Sequence, residues 1–431
     1  MDSVRSKLLP AQLPHLAHML HFYRTAKSRV FLDASATGTG KTYTAMALCA
    51  VLGLKPIIIC PKSVLPVWAA VAELFQVEPL LISNYEQMVE HKSSLYHEGK
   101  WDIPVTARTI VIFDEAHRCK NGDTKHAKLL LALKVPKGQR RVLLLSATIA
   151  DKLESFRNFG YLMDFYGRPS GFNRWLKLIQ KSGATGVAAL NRYLFPRYAH
   201  RMRLTAESPV SAHCFEMHDA DKIARQYRII EACYTNLKEQ GLNAGSIMAR
   251  IQHARQSIEI LKVPTFLKLI RHNRAKGRSV VMFVNFNETL DLLARELKVT
   301  CILNGAQTLD QRTKAVAAFQ NNTEKVILCN IRAGGVGISL HDLHGGHQRV
   351  SIISPTWSAQ DYVQCLGRIH REGSLTKAVQ KIIFCAGTVE ANVCKTLGRK
   401  LGNLSQLNDG DLESYSITQD ARRFTLLGDQ S

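Results

Sequence analysis

The sequence has no CxxC pair and no histidine-rich run beside its ten scattered cysteines, which argues against a zinc module and a disulfide framework and fits a reducing compartment. Long apolar runs are also missing. Stretches such as Pro56–Cys60 and Val142–Leu145 are too short to span a bilayer, and MDSVRSKLLPAQ lacks the basic-then-apolar order of a secretion signal. There is no low-complexity tract and no repeat of solenoid period. The expectation is a soluble, intracellular, monomeric chain with no membrane partner. Acidic residues are scarce, 35 Asp and Glu against 57 Lys and Arg, for a net charge of +22. Basic residues outnumber acidic ones 19 to 11 up to residue 150 and 38 to 24 beyond it, so the excess lies in the body of the chain rather than in a basic tail. Such a body suits a polyanion, because each cation set against a phosphate releases condensed counterions.

What is present is ordinary globular material, 431 residues with 46% hydrophobic, enough for two or three cores. Short β-branched and aliphatic runs alternate with helix-length amphipathic stretches, which predicts an α/β fold of parallel sheets covered by helices. One series of predicted strands includes Arg29–Ala34, Pro56–Cys60, Thr109–Phe113 and Val142–Leu145. A second includes Ser279–Val284, Cys301–Leu303, Lys325–Asn330, Val350–Ile353 and Gln380–Phe384. Residues 150–275 read as mostly helical, with a polar break near Thr205–Ala212. The expected organisation is a first domain over 1–205, a helical connector over 206–275, a second domain over 276–402 and a loose tail over 403–431.

The segment FLDASATGTGKTYTAMALCAVLG reads as strand, tight loop and helix, with Ser35, Ala36, Thr37, Gly38, Thr39, Gly40, Lys41 and Thr42 at the turn. Glycines there allow unusual backbone angles, so that successive N–H groups and a helix N-terminus converge on phosphate oxygens. Lys41 is placed to neutralise the β and γ phosphates and Thr42 to hold Mg²⁺. Ser35 stands where the general phosphate-loop pattern has glycine. In TIVIFDEAHRCKN, five strand-forming residues precede Asp114 and Glu115, so both carboxylates emerge at the carboxyl end of a buried strand, where α/β sheets bind ligands. Asp114 is expected to anchor Mg²⁺, Glu115 to orient and deprotonate a water, and His117 to link the pair to neighbouring loops.

With SATGTGKT, DEAHRCKN and SATIADK in hand, the chain resembles superfamily 2 helicases and translocases, and within them the Snf-type translocases related to chromatin remodellers, over nearly everything from Leu9 to Leu404. PIIICPKSVLPVWAAVAELF is similar to the Snf-type segment after the first helix, with Pro61, Ser63 and Trp68 in register. LISNYEQM and the Arg118, Lys120, Asn121 extension are similar to that family's next features. The resemblance implies two RecA-like domains in tandem, ATP with Mg²⁺, and a nucleic-acid partner, DNA in preference to RNA. It also implies adenine recognition by Gln12, and coupling of nucleotide state to nucleic-acid grip by Ser146 and Thr148. SATIADK has the Ser-Ala-Thr of helicases where Snf-type proteins more often have Thr-Gly-Thr, which leaves strand separation open. LNRYLFPRYAHRMR resembles the segment closing the first domain, or reads as a basic amphipathic helix. Under either reading Arg197, Arg201 and Arg203 are candidate phosphate contacts.

ILCNIRAGGVGISL resembles motif V, with Gly334, Gly335 and Gly337 allowing close backbone approach; Ser339 replaces the family's asparagine. ISPTWSAQDYVQCLGRIHREG matches a PxW…QxxxRxxR…G pattern through Pro355, Trp357, Gln364, Arg368, Arg371 and Gly373. Arg368 and Arg371, three apart, fall on one face of a helix or at its end. The resemblance has them stabilise charge on the γ phosphate and places Gln364 at the nucleotide. Glu390 and Lys400 fall at positions of the Snf-type closing helix. The stripped core resembles helicases of large DNA viruses. Two rival readings remain: a nucleic-acid-binding scaffold with a dead ATPase, which predicts decay at Lys41, Asp114, Glu115 or Arg371, and a phosphate-loop kinase, which leaves the second domain without a task. All four residues are intact.

Overall fold

The computed structural model describes residues 2–390, apart from residues 27, 91–92, 104–107, 135–139, 148–152, 181–185, 203–209, 240–243, 335–337, 357–358 and 372. Within this range the chain forms two compact units that meet in sequence at Thr205 and Ala206.

The first unit carries strands β1 (Val30–Asp33), β2 (Lys55–Cys60), β3 (Leu81–Asn84), β4 (Tyr96–His97), β5 (Lys100–Trp101), β6 (Thr109–Asp114), β7 (Arg141–Leu145) and β8 (Ala199–His200). Six of them form one parallel sheet in the order β3-β2-β6-β7-β1-β8, and β4 and β5 make a separate small hairpin. The central strands are continuous aliphatic runs because both faces of a parallel sheet are covered. Ile57, Ile59, Val111 and Leu144 face a core shared with Phe156, Phe159 and Phe172, while Ile58, Ile110, Leu143 and Leu145 face one built on Met19, Met46, Leu48 and Trp68. On the second face the helix Gln12–Thr25 buries Leu16, Met19, Leu20 and Tyr23, and Lys41–Leu52 buries Thr44 through Cys49. The short helix Tyr85–Val89 is started by a capping box, with Asn84 accepting from the Gln87 N–H.

The second unit carries β9 (Val210–Phe215), β10 (Ser279–Val284), β11 (Ile302–Leu303), β12 (Val326–Asn330), β13 (Arg349–Ile353) and β14 (Val379–Cys385), again all parallel, in the order β11-β12-β10-β13-β14-β9. Residues 206–275 do not stand apart as a helical connector. They open with β9, which pairs with β14 from Val210 opposite Gln380 to Phe215 opposite Cys385, and their last helix, Val263–Ala275, lies against β10. A buried ion pair seals this attachment: Lys262 meets Glu390, each 1% exposed at the side chain, while Tyr227 Oη donates to Glu390 Oε1 at 2.9 Å.

The two units are thus two RecA-like α/β sheets in tandem. The nine described cysteines are free and, Cys214 apart, buried. Among the described residues no helix is long and apolar enough to cross a membrane. Lys400 and the expected tail lie outside the described residues.

Candidate functional site

Strand register creates the site in the first unit. Asp33 at the end of β1 pairs with Leu145 at the end of β7, and Leu145 with Asp114 at the end of β6. The glycine-rich loop, Ser146 and the acidic pair therefore leave three adjacent strands at one level of the sheet, on its carboxyl edge.

From Asp33 the chain turns through Ser35–Gly40 into the helix Lys41–Leu52. Gly38 and Gly40 have φ of 87° and 83°, the left-handed region that glycine enters without a Cβ penalty. Lys41 Nζ donates to the carbonyls of Ser35 at 2.9 Å and Ala36 at 3.1 Å, so the ammonium is held inside the loop it follows. Thr42 stands beside it in the first turn. Gln12, 4% exposed, braces the loop from outside: its Nε2 donates to the Thr39 carbonyl at 2.9 Å, and its Oε1 accepts from Leu9 N at 2.9 Å.

Asp114 and Glu115 diverge although adjacent, because Glu115 has φ 53° and ψ 49°. That conformation costs a non-glycine residue about 1 kcal/mol. Asp114 Oδ2 accepts the Trp68 indole N–H at 2.9 Å, and its carbonyl accepts Tyr85 Oη at 2.7 Å. Burial, then the neighbouring Glu115 charge, push the Asp114 carboxyl up to about 6, against the pull of Trp68 and of the Lys41 ammonium. His117 Nδ1 lies 3.3 Å from Glu115 Oε2 and 3.1 Å from Ser146 Oγ, so one imidazole joins the acidic pair to the loop after β7. Trp68 and Tyr85 reach Asp114 across 46 and 29 positions of chain, so their contacts have no local signature in the sequence.

A magnesium ion held jointly by protein and phosphates needs only one or two protein oxygens. The donors at this edge fit that need: one hydroxyl, Thr42, and one carboxylate, Asp114, with no cluster of three or more His, Cys, Asp or Glu side chains able to hold a metal among the described residues.

In the second unit, the helix Ala359–Ile369 carries Gln364 and Arg368. Arg368 is 3% exposed; it donates to the Gln364 carbonyl at 2.8 Å and to the Ile338 carbonyl at 3.1 Å, and also reaches Gln364 Oε1. Arg371, half-buried, donates to Gly367 O at 3.1 Å and to the same Ile338 carbonyl at 3.0 Å. The two arginines and Gln364 thus converge on the end of the glycine-rich segment that follows β12, of which Gly334 closes a short helix. Gly335, Gly337, Trp357, Thr148 and Arg203 lie outside the described residues. Arg197 is exposed, whereas Arg201 is 9% exposed with its guanidinium 4.4 Å from the Phe195 ring centroid, which makes it a packing residue rather than a surface contact for phosphate.

Fold and sheet edge together define an α/β protein with a glycine-rich loop and a carboxylate pair at one level of its sheet. The family "Helicase conserved C-terminal domain" matches residues 261–373. The chain is 36% identical to an Acanthamoeba polyphaga mimivirus protein provisionally named ATP-dependent RNA helicase L364, over 98% of this chain and 88% of that one. It is 23% identical to the Arabidopsis thaliana ISWI chromatin-remodeling complex ATPase CHR17, over 92% of this chain but 42% of that protein. In fold it is similar to Saccharomyces cerevisiae Dbp5 bound to RNA and ADP BeF3, with a TM-score of 0.52 at 13% identity, over 95% of this chain and 97% of that one. The chain belongs to the superfamily 2 helicases, and it is an ATP hydrolase of that class.

Proposed function

We propose that the chain is an ATP-driven motor of the Snf type, with its DEAH motif at the hydrolytic centre and duplex DNA as its track. The observation that carries the reading is the common level at which the phosphate loop, Asp114–Glu115 and Ser146 leave one sheet. Lys41 neutralises the β and γ phosphates, and Thr42 and Asp114 would hold Mg²⁺, which would supply further charge neutralisation on the phosphates. Glu115 takes a proton from the attacking water as the bond from the γ phosphorus to the bridging oxygen breaks and a bond to the water oxygen forms. Arg371, assisted by Arg368, stabilises charge developing on the transferred phosphoryl group. His117, Ser146 and Thr148 in the first unit, with Gly335 and Gly337 in the second, report nucleotide state to the polymer-binding surfaces. Residues 1–205 form the ATP-binding domain in this reading, and the second domain begins at 206 rather than 276.

DNA as the track is supported by the Snf-type segments around Pro61–Trp68 and Pro355–Gly373 and by the likeness to remodelling ATPases. A second reading, an RNA helicase, is favoured by the name of the mimivirus relative. Steady-state ATP hydrolysis with no polymer, duplex DNA, single-stranded DNA or RNA, each at low and moderate salt, separates them. Stimulation chiefly by duplex DNA is expected; stimulation chiefly by single-stranded DNA marks a strand-separating DNA helicase instead, and stimulation chiefly by RNA selects the second reading. Lys41→Ala and Glu115→Gln are each expected to abolish hydrolysis while leaving polymer binding in place; near-wild-type turnover in either sinks the site assignment.

A further inference from the structure

Behind the phosphate loop lies a buried chain of titratable groups that hydrolysis itself does not use. Asp33 is fully buried. Its Oδ1 accepts the Ser35 N–H at 2.9 Å, so the carboxylate holds the first turn of the loop directly. Its Oδ2 lies 3.0 Å from His15 Nε2, with His15 1% exposed. His15 Nδ1 in turn lies 2.7 Å from His200 Nδ1, on β8. Two ring nitrogens at that distance share one proton, donated by one ring into the lone pair of the other. The row Asp33–His15–His200 therefore joins three elements far apart in sequence: the end of β1, the helix Gln12–Thr25 and β8.

His15 and Gln12 are three residues apart on one helix face and grip opposite ends of the loop, His15 through Asp33 and Gln12 through Thr39. From the β8 side the Met202 N–H donates to Ser35 Oγ at 2.8 Å, two residues beyond His200 and three before the chain leaves the first unit. The loop is thus suspended between that helix and the exit segment Ala199–Met202.

We propose that His15 is a positioning residue for nucleotide binding: it holds the phosphate loop through Asp33 and keeps the loop in register with the exit segment through His200. The inference rests on the reading of Ser35–Thr42 as the ATP loop. The groups that face this row are His18 from the same helix, Lys41 from the helix after the loop, and Arg201 beside His200. All are cationic or can become so, and Asp33 is the anion they surround. Burial, reinforced by repulsion from His15 and His18, lowers His200 to about 4, so it is neutral at physiological pH and free to complete the shared-proton contact. Protonation of His200 removes the ring lone pair or sets a positive charge against the His15 ring, which breaks the shared-proton contact and loosens the hold of the helix on the exit segment.

The test is nucleotide affinity, read with a fluorescent ADP analogue on the full chain between pH 7.5 and 4.0, together with KM and kcat for ATP at pH 7.5. His15→Leu, which removes the group facing Asp33, is expected to weaken ADP binding and raise KM at least about tenfold, with kcat changed less than about threefold. His15→Gln, which restores a neutral donor, is expected to recover most of the affinity. His200→Phe is expected to lose the acid-side fall in affinity that wild type is expected to show below about pH 5. A folded His15→Leu that binds ADP like wild type, or a His200→Phe with the wild-type pH profile, overturns the proposal. If His15→Leu does not fold, His15→Gln and His200→Phe decide it through the same pH profile. Failure of wild type itself to bind nucleotide overturns the ATP reading and this role together, whereas wild-type binding with unchanged variants overturns this role alone.

Discussion

The amide of Gln12 occupies the space that a Cβ on residue 40 would need: a methyl group there would lie 2.2 Å from Gln12 Nε2. Gly40 is therefore required twice, for its φ of 83° and for the room it leaves. Gly40→Ala must swing Gln12 away and give up its bond to the Thr39 carbonyl. Strain and lost hydrogen bond together amount to about 2 kcal/mol, roughly thirtyfold in kcat/KM for ATP. Because that substitution already evicts the glutamine, adding Gln12→Ala is expected to cost little more, a non-additivity that a double-mutant cycle on kcat/KM measures directly.

Trp68 is expected to set the acid limit of hydrolysis. Its indole N–H stabilises the ionised form of Asp114, whose carboxyl already stands at about 6. Trp68→Phe removes a hydrogen bond to a charged group, worth about 1.5 kcal/mol or roughly one pH unit. Asp114 then protonates at higher pH, and the acidic limb of the pH–rate profile is expected to move upward by about that amount at fixed magnesium. An unmoved limb in a folded variant excludes Asp114 as the group titrating there.

The two arginines of the GRIHREG segment should separate by phenotype. Arg368 is buried and bonded to Gln364 and Ile338, so Arg368→Ala leaves acceptors unsatisfied and is expected to destabilise the second unit by about 2–3 kcal/mol, visible as a lower melting temperature. Half-buried Arg371 can be removed with a change in melting temperature of only about 1–2 °C, while kcat falls by roughly a hundredfold. Thermal melts and steady-state kinetics on the two variants distinguish the outcomes.

Lys262 and Glu390 are expected to behave as a unit. Lys262→Met leaves the Glu390 carboxylate buried beside Tyr227 without its cation, at a cost of about 3–5 kcal/mol. Glu390→Gln in the same chain removes the stranded charge and is expected to restore part of that loss, as read by urea unfolding of the double variant against the single one.

The parts of this architecture written in contiguous residues were legible before the structure: the aliphatic strands β2, β6 and β10, the glycine-rich turn at Gly38–Gly40, and the carboxylates after Phe113. What escaped depends on partners distant in the chain. The two-residue strand β8 exists because Ala199 and His200 meet Leu32 and Asp33. Strand β9 carries Ser211, Ala212, His213 and Cys214 at a sheet edge and shows no clean alternation, so it vanished into a segment that read as helical. Arg201 looked like one of several surface cations and is instead closed into the first unit, because burial is not encoded in a basic cluster. His15 and His200 lie 185 residues apart and carry no motif, so only the fold brings them together.

The sheet order of the first unit also dictates a schedule for biosynthesis. Strand β1 leaves the ribosome early, yet its two neighbours, β7 and β8, are the last two strands of that sheet to be made. Until Ala199–Met202 has emerged, the nascent chain can form neither the β8 edge nor the Met202–Ser35 bond, and the Gly38–Gly40 turn has no finished cradle. At about 5–20 residues per second, the strand that precedes the phosphate loop waits roughly ten seconds or longer for its second neighbour. The β8 edge and the Met202–Ser35 bond behind the glycine-rich turn are therefore among the last contacts the first unit can complete.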